Sequence, residues 1–182
     1  VKAAHYSVVA FPKLDNEALI QRLRDGYPSW DYALRPYIPL VSPVVPATLD
    51  ELQGFTECIG RIRRGVHAFA ITLYHAVERG DGLMLAVAQG RDELKSLHNE
   101  IHGGEPLAIA ETGEYTPDLW LGRIPDSAER ARALAEVNGL GKTVGVVDSL
   151  TMLRYLTDGE PALVLTMPFG VGRVDYHDRF PA

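Results

Sequence analysis

The sequence predicts an α+β fold: two lobes of antiparallel sheet with flanking helices, related by a pseudo-twofold axis around a central cleft. Three observations carry this expectation. Strand-like and helix-like stretches interleave without the regular βαβ alternation of a parallel sheet. The extended segment Pro36-Tyr37-Ile38-Pro39-Leu40, with the helix and strands after it, has a counterpart 81 positions on in Pro117-Asp118-Leu119-Trp120-Leu121, as an internal duplication would leave. A chain of 182 residues, 46% hydrophobic and 23% charged, suits one large domain or two small lobes sharing a core, and excludes wholesale disorder.

The elements follow in order. His5 to Phe11 reads as a strand from its β-branched and aromatic content, closed by Pro12. Asp15 is placed to cap a helix to about Asp25, with Leu19, Ile20 and Leu23 as its apolar stripe. The run from Arg35 to Val41 is extended, and its two prolines suit an edge or irregular strand. Thr48-Leu49-Asp50-Glu51 has the spacing of a capping box, so a helix runs to about Arg64 and stops at Gly65. His67 to Ala76 and Leu83 to Ala88 form a hairpin, and Arg91 to His102 a helix with Leu94, Leu97 and Ile101 on one face. Asp118 to Ile124 is strand-like, and a helix beginning near Ser127 is ended by Gly139. Lys142 to Leu156 and Ala162 to Met167 read as a final pair of long strands. The expected organisation is one bilobal domain over 1–170 and a loose tail over 171–182.

Composition narrows the function. Eighteen basic against 24 acidic residues give a net charge of −6 and a pI near 5.5, which argues against a protein that coats a polyanion, though not against a local basic cleft. One cysteine, Cys58, supports neither an internal disulfide nor a thiolate metal cluster, so a cytoplasmic setting is expected. No apolar run approaches the roughly 18 residues of a membrane span, and Val1 to Phe11 lacks the order of a signal peptide.

Several tempting motifs fail. Gly141-Lys142-Thr143 lacks the earlier glycine of a phosphate loop, Glu136 standing there, and its helix-then-strand context is reversed. His98 and His102 share a helix face at i, i+4 but no third metal ligand is evident, and His67 and His75 lie far apart along one strand. His5 and His177 are isolated, and Cys58 reads as a core thiol. No metal and no cofactor is expected.

The order RPYIPLVSPV, YTPDLWLGRI, VVDSLTMLRY, LTMPFG resembles the 2′-5′ RNA ligase-like members of the two-histidine phosphoesterase superfamily, over nearly the whole chain from Tyr6 to about Gly170. The resemblance implies a His-x-Thr pair on a strand in each lobe, the second followed by Leu-Gly-Arg, here Leu121-Gly122-Arg123. It also implies that Tyr37 and Pro39 stand for the first His and Thr, and Asp118 and Trp120 for the second. Positions i and i+2 of a strand share a face, so the family's arrangement sets an imidazole beside a hydroxyl twice across a cleft, one histidine as base and one as acid. Tyrosine is a poor base at neutral pH, proline has neither hydroxyl nor N–H, and tryptophan offers only an indole donor and a stacking face.

Two readings of these residues stay open: aromatic side chains filling a cleft that need no longer be open, or a retained but altered ligand site. The first function expected is a catalytically degenerate relative, a binding or regulatory module for a small-molecule or nucleotide-like ligand. The alternative is an active 2′-5′ RNA ligase-like or 2′,3′-cyclic phosphodiesterase enzyme, acting on RNA or nucleotide phosphoesters through residues such as Tyr37 and Asp118. A purely structural partner protein is a third class. Arg35, Tyr115 and Arg123 flank the motif positions as ligand-contacting candidates. An ionised Asp118 at the old phosphate position would favour a neutral or cationic aromatic ligand. Tyr37 and Asp118 are expected on central strands, facing one groove, with Ile38 and Leu119 turned into the cores.

Overall fold

A computed structural model describes residues 4–104, 114–155 and 161–177. Among these described residues are ten strands in two five-stranded antiparallel sheets, with four α-helices. The strands are β1 (His5–Ala10), β2 (Lys13–Leu14), β3 (Ile38–Val44), β4 (Phe69–Arg79), β5 (Gly82–Gln89), β6 (Asp118–Arg123), β7 (Thr143–Val147), β8 (Ser149–Tyr155), β9 (Ala162–Pro168) and β10 (Asp175–Tyr176). The helices are α1 (Glu17–Asp25), α2 (Leu49–Ile62), α3 (Arg91–Gly103) and α4 (Ser127–Gly139).

The first sheet runs β10-β9-β8-β1-β3 and the second β2-β7-β4-β5-β6. Read from the motif strands outward, β3-β1-β8-β9 matches β6-β5-β4-β7, which is the pseudo-twofold relation expected of the duplication. The lobes are not the sequence halves, however. The first half of the chain gives β2, β4 and β5 to the second sheet, and the second half gives β8, β9 and β10 to the first.

Local chemistry accounts for most boundaries. The Thr48 hydroxyl accepts the Glu51 N–H at 3.1 Å and caps α2, while the Glu51 carboxylate reaches back to the Ala47 N–H at 2.7 Å. Asp126, one residue before the expected start, caps α4 by accepting the Glu129 N–H at 2.8 Å. Asp15 does not cap α1. Its carboxylate accepts the Val144 N–H and so ties β2 to β7, leaving Asn16 at the helix start.

The long strand expected over Lys142 to Leu156 is two strands in different sheets, parted at Asp148. Side-chain alternation continues through a crossing between sheets, so hydrophobic period alone does not reveal it. Asp148 is fastened there by Lys13, by the Ser149 hydroxyl and, through its carbonyl, by the Phe169 N–H. Beyond Gly170, where the sequence reads as a loose tail, β10 pairs with β9 and the His177 N–H donates to the Val164 carbonyl. Residues 178–182 lie outside the described residues.

One continuous core joins the lobes. Ile38, Phe55, Ile59, Ile71, Leu85, Leu94, Ile101, Leu119 and Val137 are fully buried in it. Here α4 packs on β4, α3 on β3 and β5, and α2 on α3. Arg63, in a 3₁₀ turn after α2, is buried, with Nη1 donating to the carbonyls of Pro168, Gly170 and Gly172 at 2.6, 3.1 and 2.9 Å. Among the described residues, no helix is long and apolar enough to cross a membrane.

Candidate functional site

The two motif strands are edge strands, not the central ones expected, and the sheets meet along them. Tyr37, just before β3, pairs with Trp120 of β6: the Tyr37 N–H donates to the Trp120 carbonyl at 3.3 Å and the Trp120 N–H to the Tyr37 carbonyl at 2.7 Å. Carrying that antiparallel register two residues on sets Pro39 opposite Asp118, so the four positions form one cross-strand quartet. Ile38 and Leu119, on the alternate face, are fully buried in the core as expected. Ending its sheet beside β1, β3 accommodates Pro39 and Pro43, whose missing N–H groups suit an edge strand.

A second backbone pairing joins Asp31 to Arg123, with bonds of 2.7 and 2.8 Å. Between the two pairings five residues, 32–36, stand opposite only Leu121 and Gly122, so the segment bows out into an arch. Arg24, 1% exposed, holds it from behind. Its Nη2 donates to the Leu34 carbonyl at 2.6 Å and its guanidinium lies 3.6 Å from the Tyr32 ring centroid. Burial pulls the Arg24 guanidinium down to about 10.

Under the arch is a cavity of about 370 Å³, lined by Asp31, Tyr32, Leu34, Tyr37, Trp120, Arg123 and Tyr155 among others. Sequence reasoning reached Tyr37, Trp120 and Arg123 but not Tyr32, Leu34 or Tyr155. The arch has no period to read, and Tyr155 ends a strand from the far end of the chain. The remaining candidates face elsewhere. The Tyr115 hydroxyl donates to the Pro39 carbonyl at 2.8 Å, and its ring stacks on His98 at 3.8 Å. Arg35 lies over Phe11 at 4.7 Å and reaches Glu17 at 3.6 Å. Arg123 lines the cavity while paired to Asp81 through Nε and Nη2, which raises its guanidinium above the usual range.

The two halves of the quartet have opposite surroundings. On the first sheet Val9, Phe11 and Leu153 form a small buried cluster, and Leu34, Tyr37 and Tyr155 pack against it. Burial, and then the neighbouring Tyr155 hydroxyl, push the Tyr37 phenol up from its ordinary value, so it is no base near neutrality. On the second sheet Asp118 is 6% exposed and pairs with Arg79 Nη2 at 2.6 Å. Burial pushes its carboxyl up, and Arg79, Arg91 and His75 pull it partly back. Asp118 is therefore not the lone carboxylate that the expected preference for a cationic ligand assumed. Among the described residues, no three His, Cys, Asp or Glu side chains gather as a metal site.

Two glycines set this geometry. A Cβ on Gly82 would lie 2.5 Å from the Trp120 ring, so Gly82 makes the space into which the indole folds. Gly122 has φ of +137°, and a Cβ there would lie 2.6 Å from Trp30 Nε1 and 2.7 Å from the Asp31 carbonyl oxygen. Trp30 cannot yield without losing its Nε1 bond to the Leu121 carbonyl. Gly122→Ala is expected to destabilise the fold by about 2–3 kcal/mol, read as a lower midpoint in urea. An unchanged midpoint would show that the arch is loosely held.

Comparison with known proteins places these features. Residues 11–159 match the family described as the 2′-5′ RNA ligase superfamily. Escherichia coli LigT solved with phosphate aligns at 13% identity and a TM-score of 0.63, over 93% of this chain and 99% of that one. The same protein with 3′-AMP gives 13% and 0.64 over 93% and 99%, and it has been solved with ATP and with NADP+. A protein of Thermus thermophilus aligns at 13% and 0.66, over 92% and 100%. At such identities the likeness is one of fold. A search of curated proteins finds no match.

Proposed function

The chain belongs to the 2′-5′ RNA ligase superfamily, and on that premise we propose that it binds a nucleotide-like ligand at the cleft between its sheets, without the family's histidine acid–base chemistry. In this reading Tyr37, Pro39, Asp118 and Trp120 occupy the family's motif positions, and the protein is a small-molecule-binding or regulatory module working in the cytoplasm. The observation that carries it is the cavity under the arch, whose aromatic walls from Tyr32, Tyr37, Trp120 and Tyr155 suit a planar base. Relatives of this fold solved with 3′-AMP, ATP and NADP+ support the ligand class. The pairing of Asp118 with Arg79 removes the objection to a phosphate.

Calorimetric titration with adenosine, 3′-AMP and a set of aromatic amines tests this. Adenosine and 3′-AMP are expected to bind, and Trp120→Ala to weaken both about tenfold through lost stacking. Binding of the amines alone would overturn the nucleotide reading.

A second reading, phosphoesterase or RNA-ligase chemistry through non-standard residues, is favoured by family membership and by the liganded relatives more directly than the silent module is. The burial of the Tyr37 phenol and the pairing of Asp118 with Arg79 speak against it, while the upward push of burial on the Asp118 carboxyl is the one feature in its favour.

A further inference from the structure

We propose that the anionic group of the ligand is held by Arg79 and Arg91, beside Asp118 on the face of the second sheet opposite its core leucines, and not at the positions where the family's hydroxyls would stand. The proposal rests on the nucleotide reading above and names the residues that supply its anion site.

The first sheet has little to offer an anion. Its side of the quartet is closed by the Val9, Phe11 and Leu153 cluster, and Pro39 has no N–H to donate. The second sheet is built differently. Leu83, Leu85, Leu119 and Leu121 are buried in the core, so Met84, Ala86, Asp118 and Trp120 lie on the opposite face. A bulge in β4 between Leu73 and Ala76 leaves His75 exposed near Asp118, and Arg79 reaches the same carboxylate from the end of that strand.

The pairing of Asp118 then leaves donors to spare. The Arg79 side chain is 57% exposed although Nη2 is bound to Asp118, and a guanidinium with five N–H donors keeps others for a second oxyanion. Arg91, the exposed first residue of α3, comes five residues after Ala86, the β5 residue opposite Asp118, and adds a second cation at that end of the strand pair, where its field reaches the carboxylate. Glu114 is engaged with Lys95, Glu78 with Arg130 and Asp81 with Arg123, while Asp92 and Glu93 follow Arg91 in the first turn of α3. The site therefore offers donors in fixed directions more than a surplus of charge: with Asp118 occupying one nitrogen of Arg79, the remaining N–H groups of Arg79 and those of Arg91 are left for an oxyanion. Asp118 and Trp120 are two strand residues apart, about 7 Å, within the reach of a nucleotide from base to phosphate.

The experiment compares the affinity of 3′-AMP with that of adenosine in the intact protein, the ratio measuring what the phosphate adds. Arg79→Gln is expected to lower that ratio about tenfold or more and Arg91→Gln about threefold, with adenosine affinity unchanged in both. Asp118→Asn, which frees Arg79 and removes a negative charge, raises it several-fold. Because Arg79→Gln leaves a buried carboxylate unpaired, the neutral double variant Arg79→Gln/Asp118→Asn repeats the test in a balanced background. The exposed Arg64→Gln is the control. A ratio unchanged in Arg91→Gln and in the double variant would overturn the anion site. So would a wild-type protein that binds adenosine and 3′-AMP equally, while leaving the base cavity standing. Failure to bind either removes both proposals.

Discussion

Hydrolysis of a 2′,3′-cyclic nucleotide by this protein is expected to fall on the order of 10⁴-fold or more below that of a relative carrying both histidines. Each general acid or base is typically worth 10²–10⁴-fold, and in the proposed reading both are gone. What stands in their place is ill suited to the task. The Tyr37 phenol is pushed further from neutrality by burial, and Asp118 is committed to Arg79. The measurement is steady-state turnover of the cyclic nucleotide, with Tyr37→Phe and Asp118→Asn alongside. Robust turnover lost in either variant would establish the enzymatic reading, with that residue carrying it. Turnover unaffected by both would locate the chemistry elsewhere in the protein.

The second large effect concerns stability. Arg63→Met is expected to cost about 3 kcal/mol, because three part-buried carbonyls lose a charged donor at once. For a chain of 182 residues that corresponds to a fall in Tm of roughly 6–12 °C. Arg63→Lys is expected to recover only part: an ammonium also offers three donors from one nitrogen, as Nη1 serves three carbonyls here, but it sits one atom closer to the backbone. Equilibrium unfolding in urea measures this, and wild-type stability in Arg63→Met would mean that water replaces the arginine at no cost.

Much of the fold was legible because it depends on local chemistry. The Thr48 cap, the hairpin around Gly80 and Asp81, and the apolar faces of α2 and α3 all follow from spacing and turn residues. The 81-residue offset foresaw the matching strand orders, and Ile38 and Leu119 are in the core where alternation requires them. What escaped was whatever depends on partners distant in sequence. Nothing near Asp148 announces that the chain changes sheets there. Nothing near Tyr32 announces an arch, because its shape is set by Arg24 behind it and by pairing with Trp120 and Arg123. Asp118 was identified as a residue, but its meaning changed once Arg79, 39 positions earlier, was found bonded to it. Arg91 carried no motif and became a candidate only through its place at the start of α3, just beyond the strand that faces Asp118.

The exchange of strands between the two halves has a consequence for how the chain acquires its structure. Since β4 is made before β5 but forms its ladder between β5 and β7, neither sheet can be completed until residues from the other half arrive. Severing the chain at the Gly80–Asp81 turn would yield not two small proteins but two incomplete fragments, each carrying strands the other lacks. Closing such distant pairings carries a loop-closure cost before any ladder repays it, so assembly is slow relative to a helical bundle of this size. The compensation is cooperativity: with one core running through both lobes, the cleft between them comes into being only when the whole chain has folded.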